Sequence, residues 1–187
     1  MKRHYINLKP FFNKRHVYPA STILDPRHPY YVEECFKFGE VEGDGVFAYL
    51  TRNQDMMDNM NCADQVIEID DLFCDRIVIL GTCCWGIYKE QFELRFSDGT
   101  IEYADAKFYD WYWPAEPAIK ASFDLEAKEF SDYNHIFAKF VKRDNEKEYC
   151  FMYYYKTDLK IKGRKLKQIV FPDNMFMNIF AITLEVE

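Results

Sequence analysis

The six residues Gln91–Phe96 alternate strictly between polar and apolar side chains, and this pattern constrains the fold more than any other in the chain. Successive side chains of an extended strand point to opposite faces, so Phe92, Leu94 and Phe96 share one face. The Asp98-Gly99 pair follows, and such a pair favours a hairpin because glycine readily takes a positive φ. The pattern predicts a strand with one buried face, then a turn and a returning strand.

Similar short extended segments recur on both sides of this hairpin. We predict further strands at 30–38, 65–69, 76–80, 149–155, 159–161, 166–171 and 176–186. The continuous apolar run Arg76–Leu80 is typical of a central strand that is covered on both faces. Segment 136–141 fits a strand and a short helix equally well, and turns are predicted at 40–44 and at Asp70-Asp71.

The last predicted strand alternates so that several of its apolar residues should share the core face. These residues are Phe176, Phe180, Ile182, Leu184 and Val186. Aromatic residues make up 18% of the chain, and they favour strands over helices. Nine or ten short strands separated by turns indicate an all-β, antiparallel two-sheet β-sandwich of jelly-roll type. A length of 187 residues suits a single domain spanning 1–187.

The charge and the cysteines restrict the partners and the compartment. A formal net charge of -7 opposes binding to nucleic acid, which uses a clustered basic face. We find no apolar stretch of signal-peptide or membrane-spanning character, so we expect a cytoplasmic protein with no membrane partner and with reduced thiols. For the adjacent Cys83 and Cys84, at the end of an apolar run, core packing is the favoured interpretation over redox chemistry.

Several segments, in their order along the chain, resemble the β-sandwich accessory domains attached to bacterial glycoside hydrolases such as α-L-fucosidases. These domains look like galactose-binding-domain jelly rolls. The resemblance implies that fold and a carbohydrate ligand. It rests on Asp64–Ile69, Ile79-Leu80-Gly81, Phe96–Thr100, Asp110-Trp111, Ile169–Asn174 and Ile179–Leu184.

The segment Tyr109–Glu116 is the strongest candidate for a binding site. It combines four aromatic residues, two carboxylates and a proline after a predicted strand. The apolar face of a sugar ring can stack on Trp or Tyr, while its hydroxyls need polar partners to replace water. Loops gather at the ends of a sandwich, so Trp85 could join this cluster. We predict a shallow carbohydrate-binding groove lined by Trp85, Asp110, Tyr112, Trp113 and Glu116.

Two alternatives to the groove stay open. Trp111 could pack in the core while Asp110 accepts backbone hydrogen bonds at a turn, which would leave Tyr112 and Trp113 as the exposed residues. The whole domain could instead be a protein-interaction module or form a homodimer, because sheet edges and aromatic surfaces also suit assembly.

Metal binding and catalysis are weakly signalled. Aspartates at predicted turns could bind calcium, but isolated turn aspartates more often form Asx turns; they are Asp44, Asp70, Asp71, Asp98 and Asp110. The four histidines lack metal-ligand spacing, and neither a nucleophile elbow nor a phosphate-binding loop is present. We therefore expect binding without catalysis, cofactor or metal, and a sugar-active enzyme is the third choice.

Overall fold

A computed structural model describes residues 1–19, 31–32, 36–43, 45–108, 135–141, 149–160 and 162–186 of the chain. Fourteen strands and one short 3-10 helix lie in these residues. In chain order they are β1 (Lys2–Tyr5), the 3-10 helix (Lys9–Phe11), β2 (Val17–Tyr18), β3 (Tyr31–Val32), β4 (Gly39–Gly43), β5 (Val46–Leu50), β6 (Met60–Asn61), β7 (Val66–Cys74), β8 (Arg76–Cys83), β9 (Tyr88–Phe96), β10 (Ile101–Phe108), β11 (His135–Val141), β12 (Tyr149–Asp158), β13 (Arg164–Val170) and β14 (Met177–Val186).

Two sheets form the body of the fold. The large sheet has the order β1-β14-β8-β12-β11, with β6 also paired to β14, and the small sheet has the order β10-β9-β13-β7. Every pairing within these two sheets is antiparallel. The predicted antiparallel two-sheet β-sandwich is confirmed.

The main core lies between the two sheets. Phe92 and Leu94 of β9 face the sandwich interior, and they share one buried cluster with Ile77 and Ile79 of β8. Each such side chain contributes about 1.5–3 kcal/mol of burial free energy. The predicted hairpin is also confirmed, since Phe96 N donates to Thr100 O at 2.9 Å and Gly99 has a φ of +83°.

A second apolar cluster covers the opposite face of the large sheet. Val78 and Leu80 of β8 pack there beside Val46 and Leu50 of the β4–β5 hairpin. The β8 strand therefore buries both faces and lies between β14 and β12, as its continuous apolar run predicts. Residues 135–141 form β11, which settles the ambiguous segment as a strand.

Gly81 allows close contact between β8 and β14. A Cβ at this position would lie 2.7 Å from the backbone oxygen of Asn178 and 3.2 Å from a ring carbon of Phe108. Only glycine fits this position without displacing backbone, so Gly81 marks a tight packing point inside β8.

The predicted turn at Asp70-Asp71 is wrong, and the turn predicted at 40–44 is wrong over 40–43, while Asp44 lies outside the described residues. Residues 39–43 form β4, where Glu40 and Glu42 are exposed while Val41 packs on the second cluster. The Asp70-Asp71 pair lies inside β7, where Asp71 has a φ of +47° and the pairing with β13 shifts register. A bulge absorbs the two aspartates without ending the strand.

Two other details of the strand predictions are also wrong. Phe180 belongs to the outer cluster whereas Ile182 and Leu184 belong to the main core, because the β14–β8 pairing shifts between Ile179 and Ala181. The predicted strand at 159–161 is not formed at Leu159, since β12 ends at Asp158; Ile161 lies outside the described residues.

Candidate functional site

Three connections and one strand terminus meet at one end of the sandwich. The β8–β9 turn approaches the β13–β14 connection, where Cys84 N donates to Phe176 O at 3.0 Å. The β6–β7 connection joins them through Cys62 N, which donates to Met177 O at 3.0 Å. The β10 strand terminates at Phe108, which pairs with Tyr88. Residues that are distant in sequence thus converge on one surface.

This end carries three aromatic residues, which we call the aromatic edge: Trp85 and Phe176, which are exposed, and Tyr88, which is half-buried against the main core. Trp85 is 68% exposed and Phe176 is 41% exposed. The rings of Tyr88 and Phe176 stack with centroids 5.6 Å apart and an interplanar angle of 11°. Met175 beside them is exposed as well. Exposed apolar side chains that cluster in this way mark interaction surfaces, whereas isolated ones are common.

Trp85 adopts a backbone conformation that suits its residue type poorly. Its φ is +67°, in the left-handed region, which costs roughly 1–2 kcal/mol for an L-residue other than glycine. Backbone outliers of this kind cluster at functional sites. The turn thus presents an exposed tryptophan on a conformation that glycine adopts more easily.

A network of buried amides fixes the backbone of the aromatic edge. Phe176 N donates to Asn174 Oδ1 at 3.1 Å, and Asn178 Nδ2 donates to Phe176 O at 3.3 Å. Asn61 Nδ2 donates to Met175 O and to Asn178 Oδ1, both at 2.8 Å. Because Asn61 and Asn178 are buried, these hydrogen bonds fix the backbone that carries Phe176.

A carboxylate and an amide lie beside the stacked rings. Asn174 Nδ2 donates to Glu90 Oε1 at 2.8 Å. Glu90 is half-buried on the interior-facing side of β9, between Tyr88 and Phe92. Burial raises the pKa of the Cys62 thiol, and the negative charge of Glu90 raises it further. The pair places hydrogen-bonding oxygen and nitrogen atoms next to an aromatic surface.

Of the five predicted site residues, the structure describes Trp85. Asp110, Tyr112, Trp113 and Glu116 lie outside the described residues. The strand that precedes them ends at Phe108, whose carbonyl accepts a hydrogen bond from Cys83 Sγ at 3.1 Å. Cys83 is two residues before Trp85 in the sequence, so the end of β10 lies close to the turn that carries Trp85.

Sequence reasoning missed Tyr88, Glu90, Asn174 and Phe176. Phe176 was predicted to face the core, but β14 begins at Met177 and Phe176 lies in the preceding connection. Phe176 is apolar like the residues of β14 that follow it, so the predicted strand begins one residue too early. A signal for the amide network is hard to read, because Asn61 and Asn178 are 117 residues apart.

Two other sequence interpretations concern aspartates and cysteines. Asp98 Oδ1 accepts from Thr100 N at 2.9 Å, which is an Asx turn, and the Thr100 hydroxyl lowers the pKa of Asp98. Among the described residues, no group of three or more His, Cys, Asp or Glu side chains is placed to hold a metal ion. Cys83 is buried and Cys84 is half-buried. Within that same part of the chain, no helix is long and apolar enough to cross a membrane.

The comparisons with known proteins yield a family. Residues 31–187 match the family described as the AziU2-like beta-sandwich domain. A search of curated proteins found no match. The galactose-binding likeness inferred from sequence motifs stays a prediction.

Proposed function

The chain belongs to the family of AziU2-like β-sandwich domains, and from that premise we propose that it binds carbohydrate at the aromatic edge without chemistry of its own. One observation carries the proposal: a 68% exposed tryptophan, Trp85, stands on a left-handed backbone beside a rigidly held aromatic pair. A fold under no functional demand would gain stability from glycine at this position.

The residues of the edge match what a sugar ring requires. The faces of Trp85 and Phe176 offer apolar surface for stacking on the ring. Glu90 and Asn174, which are joined at 2.8 Å, offer an acceptor and donors for its hydroxyls, which lose water on binding and must be repaid by hydrogen bonds. The amide network reduces the entropy that would be lost on ordering the site.

The proposed groove also includes residues that follow β10. Asp110, Tyr112, Trp113 and Glu116 come after Phe108 in the sequence. Phe108 pairs with Tyr88 at the end of the sandwich that carries the edge. The described part of β10 therefore ends beside Tyr88 and Cys83, which flank the turn that carries Trp85, and this supports the proposal that the two parts form one groove.

A glycan array tests this proposal. The unmodified protein should bind a restricted set of glycans, and Trp85→Ala and Phe176→Ala should each lower the signal about twofold to tenfold, because stacking contacts of this kind contribute about 0.5–1.5 kcal/mol each. Tyr103→Ala is the matched control, since Tyr103 is 56% exposed but lies on the outer face of the small sheet. Binding that is unchanged in Trp85→Ala and in Phe176→Ala would refute the proposal.

A second candidate function is protein interaction or self-association through the small sheet. Both strands at the ends of its order carry exposed apolar residues, namely Phe73 and Val66 on β7 and Ile101 and Tyr103 on β10. Edges of this kind can pair with another chain. Light scattering after size-exclusion chromatography tests it: a dimer that Ile101→Glu converts to a monomer, while Trp85→Ala does not, would favour this role.

A further inference from the structure

The charged side chains around the aromatic edge are mainly acidic. Glu90 contacts Asn174 at 2.8 Å, and Asp173 precedes Asn174 in the same connection. Asp64 N donates to Pro172 O at 3.4 Å, so Asp64 lies against that connection too. Asp64 and Asp173 are exposed and Glu90 is half-buried. Three carboxylates therefore sit on the segments that form the aromatic edge.

The neighbouring lysines project away from this end. Lys89 alternates with the core-facing residues of β9 and pairs with Lys107 on β10, which places both on the outer face of the small sheet. Lys89 Nζ lies 3.7 Å from Asp105 Oδ2 on that face. The described part of the edge thus combines carboxylates and aromatic faces, while the lysine charge belongs to another surface.

This arrangement discriminates between sugars by charge. An anionic group placed near the carboxylates would be repelled, and two unit charges about 4 Å apart in water interact by about 1 kcal/mol. An ammonium group would be attracted by the same carboxylates and by the negative faces of the aromatic rings. Specificity obtained by repelling the wrong ligand is common in binding sites.

We infer that the aromatic edge selects sugars by charge, binding amine-bearing sugars most tightly, uncharged sugars less tightly and sulfated or carboxylated sugars least. This inference rests on the proposed carbohydrate binding and adds the class of ligand. The aromatic rings supply the contact with the sugar ring, and Glu90, Asp64 and Asp173 set the order of preference.

Calorimetric titration with three ligands of one backbone tests the order. The probes are N-acetylated chitotriose, its deacetylated form and its O-sulfated form, at about pH 6, where the sugar amines are protonated. The deacetylated trimer should bind about fivefold more tightly than the neutral one, and the sulfated trimer at least about fivefold more weakly. The preference should shrink when salt is raised from about 50 mM to about 500 mM.

A pair of charge-matched variants assigns the effect to this surface. Asp173→Asn should reduce the preference for the amine about twofold to fivefold, because it removes one exposed carboxylate. Glu68→Gln removes the same charge from the outer face of the small sheet, where Glu68 accepts from Gln168 at 2.6 Å, and should leave the preference unchanged.

The outcomes separate this inference from the proposed function. The charge selection is overturned if the sulfated trimer binds as tightly as the neutral one. It is also overturned if the deacetylated trimer binds no more tightly than the neutral one, which includes the case in which neither of them binds. Carbohydrate binding at the edge survives that result if the array still shows a glycan whose signal depends on Trp85. If the array shows no such glycan, both proposals fall.

Discussion

Phe176 stacks on Tyr88 across two segments that are 88 residues apart in the chain, with ring centroids separated by 5.6 Å. Tyr88 begins β9, and Phe176 immediately precedes β14. The stack therefore links the small sheet to the segment that enters the large sheet at one end of the sandwich. Trp85 stands on the turn between β8 and β9, beside the same segment, and this relationship defines the proposed binding surface.

The left-handed backbone at Trp85 predicts an unusual order of stability. Trp85→Gly should be more stable than Trp85→Ala by about 1 kcal/mol, because both lose the indole but alanine keeps a Cβ at a φ of +67°. Urea unfolding of the two variants measures the difference. Equal stability, or a more stable alanine variant, would show that the turn carries no strain.

The amide network predicts coupling between Asn61 and Asn178. Each single change to alanine should cost about 1–3 kcal/mol, because it leaves a buried partner unsatisfied. The double variant should cost less than the sum of the two, by about 1 kcal/mol. A double-mutant cycle in urea measures this, and additive costs would mean that the two amides act independently.

The close contact at Gly81 predicts a large effect of a small change. Gly81→Ala places a Cβ 2.7 Å from Asn178 O, so β8 and β14 must separate locally at a cost of about 1–3 kcal/mol. Thermal unfolding of the variant measures the loss. A melting temperature equal to that of the unmodified protein would contradict the packing described here.

Buried Asp58 predicts a stability that falls as pH rises. Burial is the largest cause that raises its pKa from 3.8 to about 6, although its carboxylate accepts from His16 N at 2.9 Å and Val17 N at 2.8 Å. The folded state holds this proton more tightly than the unfolded state. The resulting stability is complete below about pH 4 and is lost as pH rises through about 6.

Comparison with Asp58→Asn isolates this titration from that of other groups. Between about pH 3 and pH 7 the unmodified protein should lose roughly 3 kcal/mol relative to the variant, with about 2 kcal/mol of this between pH 4 and pH 6, since one pKa unit corresponds to about 1.4 kcal/mol. Urea unfolding at several pH values measures the difference, and a difference that does not change with pH would contradict the assignment to Asp58.

The cysteines should differ in reactivity. Cys62, Cys74 and Cys83 are buried and Cys84 is half-buried. Burial raises the pKa of Cys74 to about 12, and the thiolate is the reactive form. Peptide mapping after alkylation of the native protein should show Cys84 labelled well before the other three. Labelling of Cys62 at the rate of Cys84 would mean that the end of the sandwich opens.

Local pattern predicted much of the fold but little of the site. Alternation along Gln91–Phe96 and the continuous apolar run at Arg76–Leu80 each report on burial within one strand, and both were confirmed. Bulges at Asp71 and near Phe180 shift the alternation without any sequence mark, so strand ends and faces were misassigned there. Trp85 was named because it follows a predicted strand and loops gather at the ends of a sandwich, and its place in a binding site stays a prediction. The contacts of Phe176 and Asn178 could not be predicted, because they join segments that are distant in the sequence.

An NMR titration with the best ligand from the glycan array tests the central claim most directly. It follows the assigned amide and indole N–H resonances as the ligand is added. Binding at the aromatic edge predicts the largest shifts at the Trp85 indole N–H and at the backbone amides of Tyr88 and Phe176. The indole resonance of Trp85 is assigned as the one that is absent from the spectrum of Trp85→Phe. Shifts centred on Tyr103 and Arg95, which lie on the outer face of the small sheet, would contradict the claim, as would saturation binding with no shift at Trp85.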